Sequence, residues 1–328
     1  MKCLVTGGAG FIGSNLVDKL VAKNHKVIVI DDLSTGRIAN LSKNKKNVTF
    51  FKYDISKDLS RFKNKLRNID WIFHLAGKAD IVPSINNPNE YFKSNVQGTL
   101  NILEIAKKNK IKKLIYAASA SCYGLPNKFP TNEKADIDTK YPYALTKYLG
   151  EQLVLHWCEV YKMPNISMRF FNVYGQRSRT SGAYGAVFGV FLAQKLANKP
   201  LTVVGNGKQT RDFIHVNDLV DALILAAKKG KSGEIYNIGS GIETTVNLIA
   251  KVIGGKRINI PKRPGEPDRS LACVKKIKKH LKWKPKIKIV NGVKMLIKNI
   301  KHWKNAPVWT PKKIDKATEI WFKYLKKN

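Results

Sequence analysis

The chain has 328 residues, 43% of them hydrophobic, enough for one large α/β unit or two interleaved lobes around a sizeable core. Its 60 lysines and arginines against 23 acidic residues give a formal net charge of +37, which raises nucleic acid or an anionic membrane as a partner. The distribution argues against both: lysines fall on nearly every expected surface segment, arginines are few, no nucleic-acid-binding motif is recognisable, and the longest apolar run, Ala186 to Ala193, is far short of the ~20 residues that cross a bilayer.

From Met1 the chain enters the apolar stretch Cys3-Leu4-Val5 with no basic leader or cleavage site, so the protein reads as soluble and cytoplasmic. Cys3, Cys122, Cys158 and Cys273 lie far apart, with no CxxC pair and no histidine cluster at metal-ligand spacing, which predicts reduced thiols and no metal site. Met1 to Val5 is a short strand running into a glycine loop, and Phe11 to Val21 carries apolar residues at helical spacing. Val27 to Ile30 is an unbroken apolar run ending at Asp31, as a parallel strand covered on both faces requires. Further strands are expected at Val48 to Tyr53, Trp71 to Leu75 and Lys113 to Ala118, with a helix over Asn89 to Lys108. A long helix over Tyr143 to Tyr161 leads to a strand at Ile166 to Phe171. This alternation predicts an α/β, doubly wound parallel sheet over residues 1–171. Residues 172–303 read as a smaller C-terminal α/β lobe whose pieces return to the main sheet. It has a glycine-rich loop stretch from Gly175 to Gly185, strands at Leu201 to Val204 and Glu234 to Ile238, and a helix at Asn217 to Ala227. Residues 304–328 are a helical extension, opened by Thr310 as N-cap and Pro311 at the first helical position. Its Trp309, Trp321 and Tyr324 are expected to cover a core edge or a subunit contact rather than a substrate.

Thr6-Gly7-Gly8-Ala9-Gly10-Phe11-Ile12-Gly13 lies between the first strand and the first helix, where a phosphate-binding loop belongs. Glycines 7, 10 and 13 let the backbone turn tightly and approach a pyrophosphate, and the helix start at Phe11 and Ile12 offers N–H groups and partial positive charge. A lone GxGxxG is weak evidence, but here Asp31 ends the second strand, placed to accept both ribose hydroxyls of an adenosine. A carboxylate there repels a 2′-phosphate and favours NAD over NADP, although Arg37 nearby keeps the alternative open. Asp54, followed by Ile55 at the end of the third strand, is placed to accept from the adenine amine or, alternatively, to cap a helix. Leu75-Ala76-Gly77 after the fourth strand lets backbone approach the cofactor, and His74 reads as a core histidine rather than a catalyst.

Tyr143 and Lys147 stand at i and i+4, on one face of a helix. A tyrosine with an ordinary pKa near 10 is a poor base at neutral pH, and a neighbouring ammonium with the positive nicotinamide can lower it. A YxxxK alone fits any amphipathic helix. Here it follows a complete dinucleotide half-site and the small-residue strand end Ala117-Ala118-Ser119-Ala120-Ser121-Cys122-Tyr123-Gly124, whose hydroxyls can stand beside the cofactor. On these motifs the chain, from Met1 to about Trp303, resembles the extended short-chain dehydrogenase/reductase family, in its NAD-dependent branch of nucleotide-sugar epimerases and dehydratases. The resemblance implies that Ser119 hydrogen-bonds the sugar hydroxyl being oxidised, with Tyr143 as base, Lys147 anchoring the nicotinamide ribose and Ser121 as a second hydroxyl. It implies substrate contacts from Asn95, from Asn172 within Arg169-Phe170-Phe171-Asn172-Val173-Tyr174-Gly175, and from Arg211 and Arg263 as the pair that binds the phosphates of a UDP-sugar. A guanidinium suits that task because its planar fork matches phosphate oxygens, a surface ion pair being the alternative for either arginine. A homodimer through a helix bundle that includes the Tyr143 helix is implied as well.

The family's 4,6-dehydratases carry an Asp-Glu pair just after the hydroxyl residue, and its decarboxylases a glutamate two residues before the tyrosine of the Tyr-Gly pair. Here those places hold Ala120 and Ser121, so neither extra acid/base is present. What remains suits C4 epimerisation of a UDP-hexose, N-acetylhexosamine or uronate through a transient 4-keto sugar, with NAD regenerated each cycle. Another nucleotide-sugar oxidoreductase or isomerase activity stays open, as does a non-catalytic NAD-binding role, against which the intact Ser119, Tyr143 and Lys147 stand. The resemblance implies that Ser270, five residues after Gly265, borders the sugar pocket, where a small side chain leaves room for an acetamido group at C2. The family's next landmark, an Ala-Asp pair, is here Ala272-Cys273.

Overall fold

Alternate residues of the first strand, Cys3 and Val5 on one side and Leu4 on the other, enter two separate apolar clusters, so this strand is covered on both faces. The computed structural model describes residues 1–44, 46–178 and 186–325, and residues 179–185 of the expected glycine-rich stretch lie outside them. The first half comprises β1 (Lys2–Thr6), α1 (Phe11–Val21), β2 (Lys26–Asp31), β3 (Val48–Lys52), β4 (Trp71–His74), α2 (Ile81–Asn86), α3 (Pro88–Phe92), α4 (Gly98–Asn109), β5 (Lys113–Ser119), α5 (Pro142–Tyr161) and β6 (Asn165–Phe170). The second comprises β7 (Asn172–Tyr174), α6 (Val187–Leu196), β8 (Leu201–Val204), β9 (Thr210–His215), α7 (Val216–Lys229), β10 (Ile235–Ile238), β11 (Glu243–Thr245), α8 (Val246–Ile253), β12 (Arg257–Ile260), α9 (Lys275–Leu281), α10 (Ile289–Lys298) and α11 (Pro311–Leu325).

Seven strands form the main sheet in the order β10-β6-β5-β4-β1-β2-β3, every neighbouring pair parallel. The order reverses between β1 and β4, and at such a point the loops leaving the C-terminal strand ends part to leave a crevice. One face of the sheet packs on Leu16, Val17 and Leu20 of α1 and on the apolar stripe of α7, including Leu219 and Leu223. The other packs on Ile102, Leu103 and Ala106 of α4 and Val154 of α5.

The helix expected over Asn89 to Lys108 is interrupted: between α3 and α4 the turn Lys93–Gln97 is wound as π-helix, a form that recurs at functional sites. Four strands were not foreseen: β7, β9, β11 and β12. β7, β9 and β11 make a three-stranded sheet, and β8 and β12 pair in parallel. The smaller lobe has its own core, where Phe188 and Phe191 of α6 meet Ile249 of α8, Val293 of α10 and Trp303. β10 and α7 come from the second half of the chain yet complete the main sheet and its cover, so the two lobes are interleaved. Among the described residues no helix is long and apolar enough to cross a membrane, and no group of His, Cys, Asp and Glu could hold a metal ion.

Candidate active site

A cavity of about 950 Å³ opens at the reversal point and runs from the glycine loop to the smaller lobe. Gly7 adopts φ +68°, and a Cβ on it would sit 2.8 Å from Ala76 N; a Cβ on Gly13 would run into Gly7 O. Only glycine therefore lets the first loop, the start of α1 and the Leu75–Gly77 segment touch. The N-cap of α1 is Gly10, with no side chain bonded to the first-turn N–H groups and no acidic residue in that turn. Gly10, Phe11 and Ile12 line the cavity, so this helix start offers an anion unsatisfied donors and the positive end of a dipole.

Asp31 is buried, with Oδ2 accepting from Ala9 N at 2.9 Å and Oδ1 from Leu33 N at 2.8 Å. A carboxylate has about four acceptor sites, so these backbone N–H groups, with that of Gly10, leave it able to accept further from a ligand hydroxyl. Burial raises its pKa above the usual carboxylate range, against those N–H bonds. Arg37 lines the same end of the cavity. Asp54 closes its own turn through Oδ1 to Ser56 N at 2.9 Å, with no helix starting there, and lines the cavity beside Ile55. His74 is fully buried between Thr6 Oγ1 at 2.7 Å and Thr99 Oγ1 at 2.9 Å, and burial pulls its pKa down to about 3. It is a neutral core residue.

Ser119 caps the short turn Ala120–Tyr123, which aims its hydroxyl back at α5. Three groups converge on Ser119 Oγ: Ser121 N, which donates to it at 3.2 Å, and the hydroxyls of Tyr143 at 3.1 Å and Ser121 at 2.8 Å. With two acceptor sites and one proton, the Ser119 hydroxyl can exchange donor and acceptor roles with these hydroxyls at the wall of the cavity, which Ser119, Ser121, Tyr143 and Lys147 all line. Tyr143 is held by Tyr141 stacked at 6.3 Å and Tyr91 edge-on at 6.5 Å between ring centroids, two contacts no sequence motif announced.

The electrostatic expectation for Tyr143 counts on two positive neighbours, Lys147 and the nicotinamide. In the protein alone burial raises the pKa of Tyr143, only partly offset by hydrogen bonds with Ser119 and Ser121. The Lys147 ammonium sits 4.3 Å from the ring centroid of Tyr116, and burial lowers its pKa to about 7, against the pull of Glu151. Burial thus weakens the positive charge that Lys147 presents to its surroundings.

One expected substrate contact is corrected: Asn95 does not line the cavity. It is buried in the π turn, accepts from Lys78 N at 2.8 Å, and donates to Lys78 O at 3.1 Å and Thr146 Oγ1 at 3.0 Å. It pins the loop after β4 to α5, and a Cβ on Gly77 would sit 2.8 Å from its Oδ1.

At the far end Arg211 and Arg263 converge on one carboxylate, Arg211 Nη2 at 2.8 Å from Glu266 Oε1 and Arg263 Nε at 2.9 Å from Oε2. Their side chains are only 11% and 14% exposed and line the cavity, so the ion pair that each makes with Glu266 stands in the cavity wall rather than on the open surface. Asn172 and Ser270 line the same end. Asp212, which the sequence reading passed over, is buried and gathers Ser240 N, Gly241 N and Ala272 N at 2.6 to 3.0 Å, tying β9 to the segment that carries Ser270. In the extension Trp309 packs on the core of the smaller lobe, as expected, and with Trp321 also lines this cavity, whereas Tyr324 is 61% exposed.

A doubly wound parallel sheet, a glycine loop at its reversal point and a serine–tyrosine–lysine group on β5 and α5 define a dinucleotide-dependent short-chain oxidoreductase fold. A model of the NAD dependent epimerase/dehydratase family matches residues 3–239, and the chain belongs to that family. It is 38% identical over 307 residues to the putative UDP-glucose 4-epimerase of Methanocaldococcus jannaschii, covering 91% of this chain and 98% of the relative. The UDP-glucose 4-epimerase of Thermotoga maritima, solved with UDP-glucose, superposes with a TM-score of 0.86 at 33% identity, covering 92% of this chain and 99% of that one. The UDP-glucuronic acid 4-epimerase of Bacillus cereus, solved with UDP-glucuronic acid and NAD, gives 0.85 at 29% identity, with 92% and 99% covered. A UDP-glucuronic acid decarboxylase of Arabidopsis thaliana and a dTDP-glucose 4,6-dehydratase of Streptomyces venezuelae match too, so the comparisons give the family and not the reaction.

Proposed function

We propose that the protein uses bound NAD to interconvert C4 epimers of a UDP-activated sugar. The observation that carries this reading is the hydroxyl relay of Tyr143, Ser119 and Ser121, at 3.1 and 2.8 Å, with Ala120 and Ser121 in the places where an additional acid or base would stand. NAD suits the glycine cradle, the uncapped start of α1 and the Asp31 carboxylate, and when bound supplies reversible two-electron oxidation at C4. Lys147 holds its ribose beside Tyr143. Ser119 donates to the C4 hydroxyl oxygen or accepts from it, and Tyr143 takes the proton as the hydroxyl becomes a ketone. Arg211 and Arg263 grip the diphosphate while the keto sugar turns about it, and Tyr143 returns the proton after the other face has been presented. Neither proton transfer needs a carboxylate.

The test is incubation of the NAD-loaded protein with UDP-glucose, UDP-galactose, UDP-N-acetylglucosamine and UDP-glucuronic acid, followed by NMR of the sugar products. A C4-inverted product is expected. Release of carbon dioxide, or a 4-keto-6-deoxy product, places the protein with the decarboxylases or dehydratases instead.

Within this reading Ser270 sets the size of the sugar. Its side chain is small and borders the cavity, leaving room for an acetamido group. The enzyme is expected to turn over UDP-N-acetylglucosamine, and Ser270→Tyr to reduce kcat/KM for that sugar much more than for UDP-galactose. An unchanged ratio between the two substrates removes Ser270 from this role.

A further inference from the structure

The C-terminal helix α11 lies beyond residues 3–239, the part of the chain that the family model matches, yet it walls the cavity that holds Ser119 and Tyr143. Its buried residues Ile314, Thr318 and Trp321 are spaced i, i+4 and i+7, one face of a helix. Ile314 seats in the core of the smaller lobe. On the opposite bank of the cleft α11 packs against α2. Between these two anchors the indole of Trp321 meets the 263–266 segment twice. The Arg263 guanidinium carbon lies 5.2 Å from the ring centroid, and Trp321 Nε1 donates to Pro264 O at 2.7 Å. Leu325 Cβ stands 4.0 Å from where a Cβ on Gly265 would be, so the end of the helix reaches this turn as well. Arg263, clasped in this way, shares Glu266 with Arg211.

We propose that Trp321 is a positioning residue for Arg263, and that through it the C-terminal helix sets the affinity of the site for the diphosphate of a nucleoside diphosphate sugar. This rests on the reading that Arg211 and Arg263 bind the phosphates of the substrate. A guanidinium is weakly hydrated and stacks on aromatic faces, so the indole fixes the plane of the fork. Two-point contact with phosphate oxygens depends on that plane. The indole takes no part in the proton relay, so its contribution belongs to binding and leaves the chemical step alone.

The experiment measures UDP affinity by calorimetry, and KM and kcat with UDP-galactose, on the full-length NAD-loaded protein and its variants Trp321→Leu, Trp321→Phe, Arg263→Ala and Trp321→Leu/Arg263→Ala. Trp321→Leu should weaken UDP and raise KM by about tenfold, the scale of a partly desolvated cation–π contact, with kcat unchanged. Trp321→Phe, which keeps a ring face, should recover most of this, and Trp321→Leu should add nothing once Arg263 is alanine. A folded Trp321→Leu variant with wild-type UDP affinity, or full additivity with Arg263→Ala, overturns the inference. Failure of wild type to bind UDP, or wild-type affinity in Arg263→Ala, overturns the phosphate reading itself and needs no Trp321 variant to show it. Should the leucine variant not fold, fluorine NMR of fluorotryptophan-labelled wild type decides. The Trp321 resonance, identified by its loss in Trp321→Phe, should move on addition of UDP, and an unmoved resonance overturns the inference.

Discussion

Tyr143 is half-buried and Lys147 buried, and desolvation works against the charged form of each. General acid/base transfer contributes about 10²- to 10⁴-fold, so Tyr143→Phe should lower kcat by at least about 100-fold while NAD stays bound. Single-turnover rates and a cofactor titration on the same preparation check both halves of that statement. Lys147 yields a prediction about pH. Its folded pKa, lowered to about 7 from the usual value of 10.5, lies below that of the unfolded chain. Between the two values the unfolded chain holds a proton that the folded protein has shed, so the stability tied to this group is full above the unfolded value and is lost as pH falls toward 7. In NAD-free protein, Lys147→Met should therefore gain in melting temperature relative to wild type between about pH 10 and about pH 7. A pH-independent difference would show that Glu151 compensates the ammonium fully.

At the scale of elements, β1, α1, β2 and α5 were legible because each is long or unbroken enough for one periodicity to dominate, and their ends carry glycine, Asp31 and Pro142. The short strands β7 and β11, three residues each, were not, because pairing with β9 defines them and three residues carry no period. The same holds within the site. Every glycine, serine, tyrosine and arginine that motifs singled out lines the cavity, whereas Asn95 does not, since its motif position carries no sign that the helix winds into a π turn there. Trp321 could be read only as one member of an amphipathic stripe, and which neighbour the stripe meets is a tertiary fact. The π turn itself can be tested. Asn95→Leu removes the pin between Lys78 and Thr146 and should cost about 1–3 kcal/mol of stability, as a lost buried hydrogen-bonding group does. It should also weaken NAD, because Gly77 and Lys78 line the cavity. Calorimetric unfolding and a cofactor titration read the two effects, and unchanged NAD affinity would mean that the loop is held without it.

For the whole molecule, the net charge of +37 surrounds a site read as taking a dianionic diphosphate. Raising ionic strength from about 0.01 M to about 0.15 M shortens the screening length from about 30 Å to about 8 Å, so UDP affinity should fall over that range. Calorimetry at the two salt concentrations measures it, and a flat response would confine the attraction to Arg211 and Arg263. The interleaving of the lobes bears on how the chain is made. β6 pairs on one edge with β5 and on the other with β10, and one face of the sheet takes its cover from α7, both supplied after residue 215. A ribosome that has released only residues 1–171 has delivered every expected dinucleotide contact, but leaves β6 with an open edge and that face of the sheet partly bare, the condition in which strands find wrong partners. The nascent polypeptide must therefore wait for some seventy further residues before its first-made half can close, and a fragment cut at that boundary is expected to aggregate rather than stand as a separate domain.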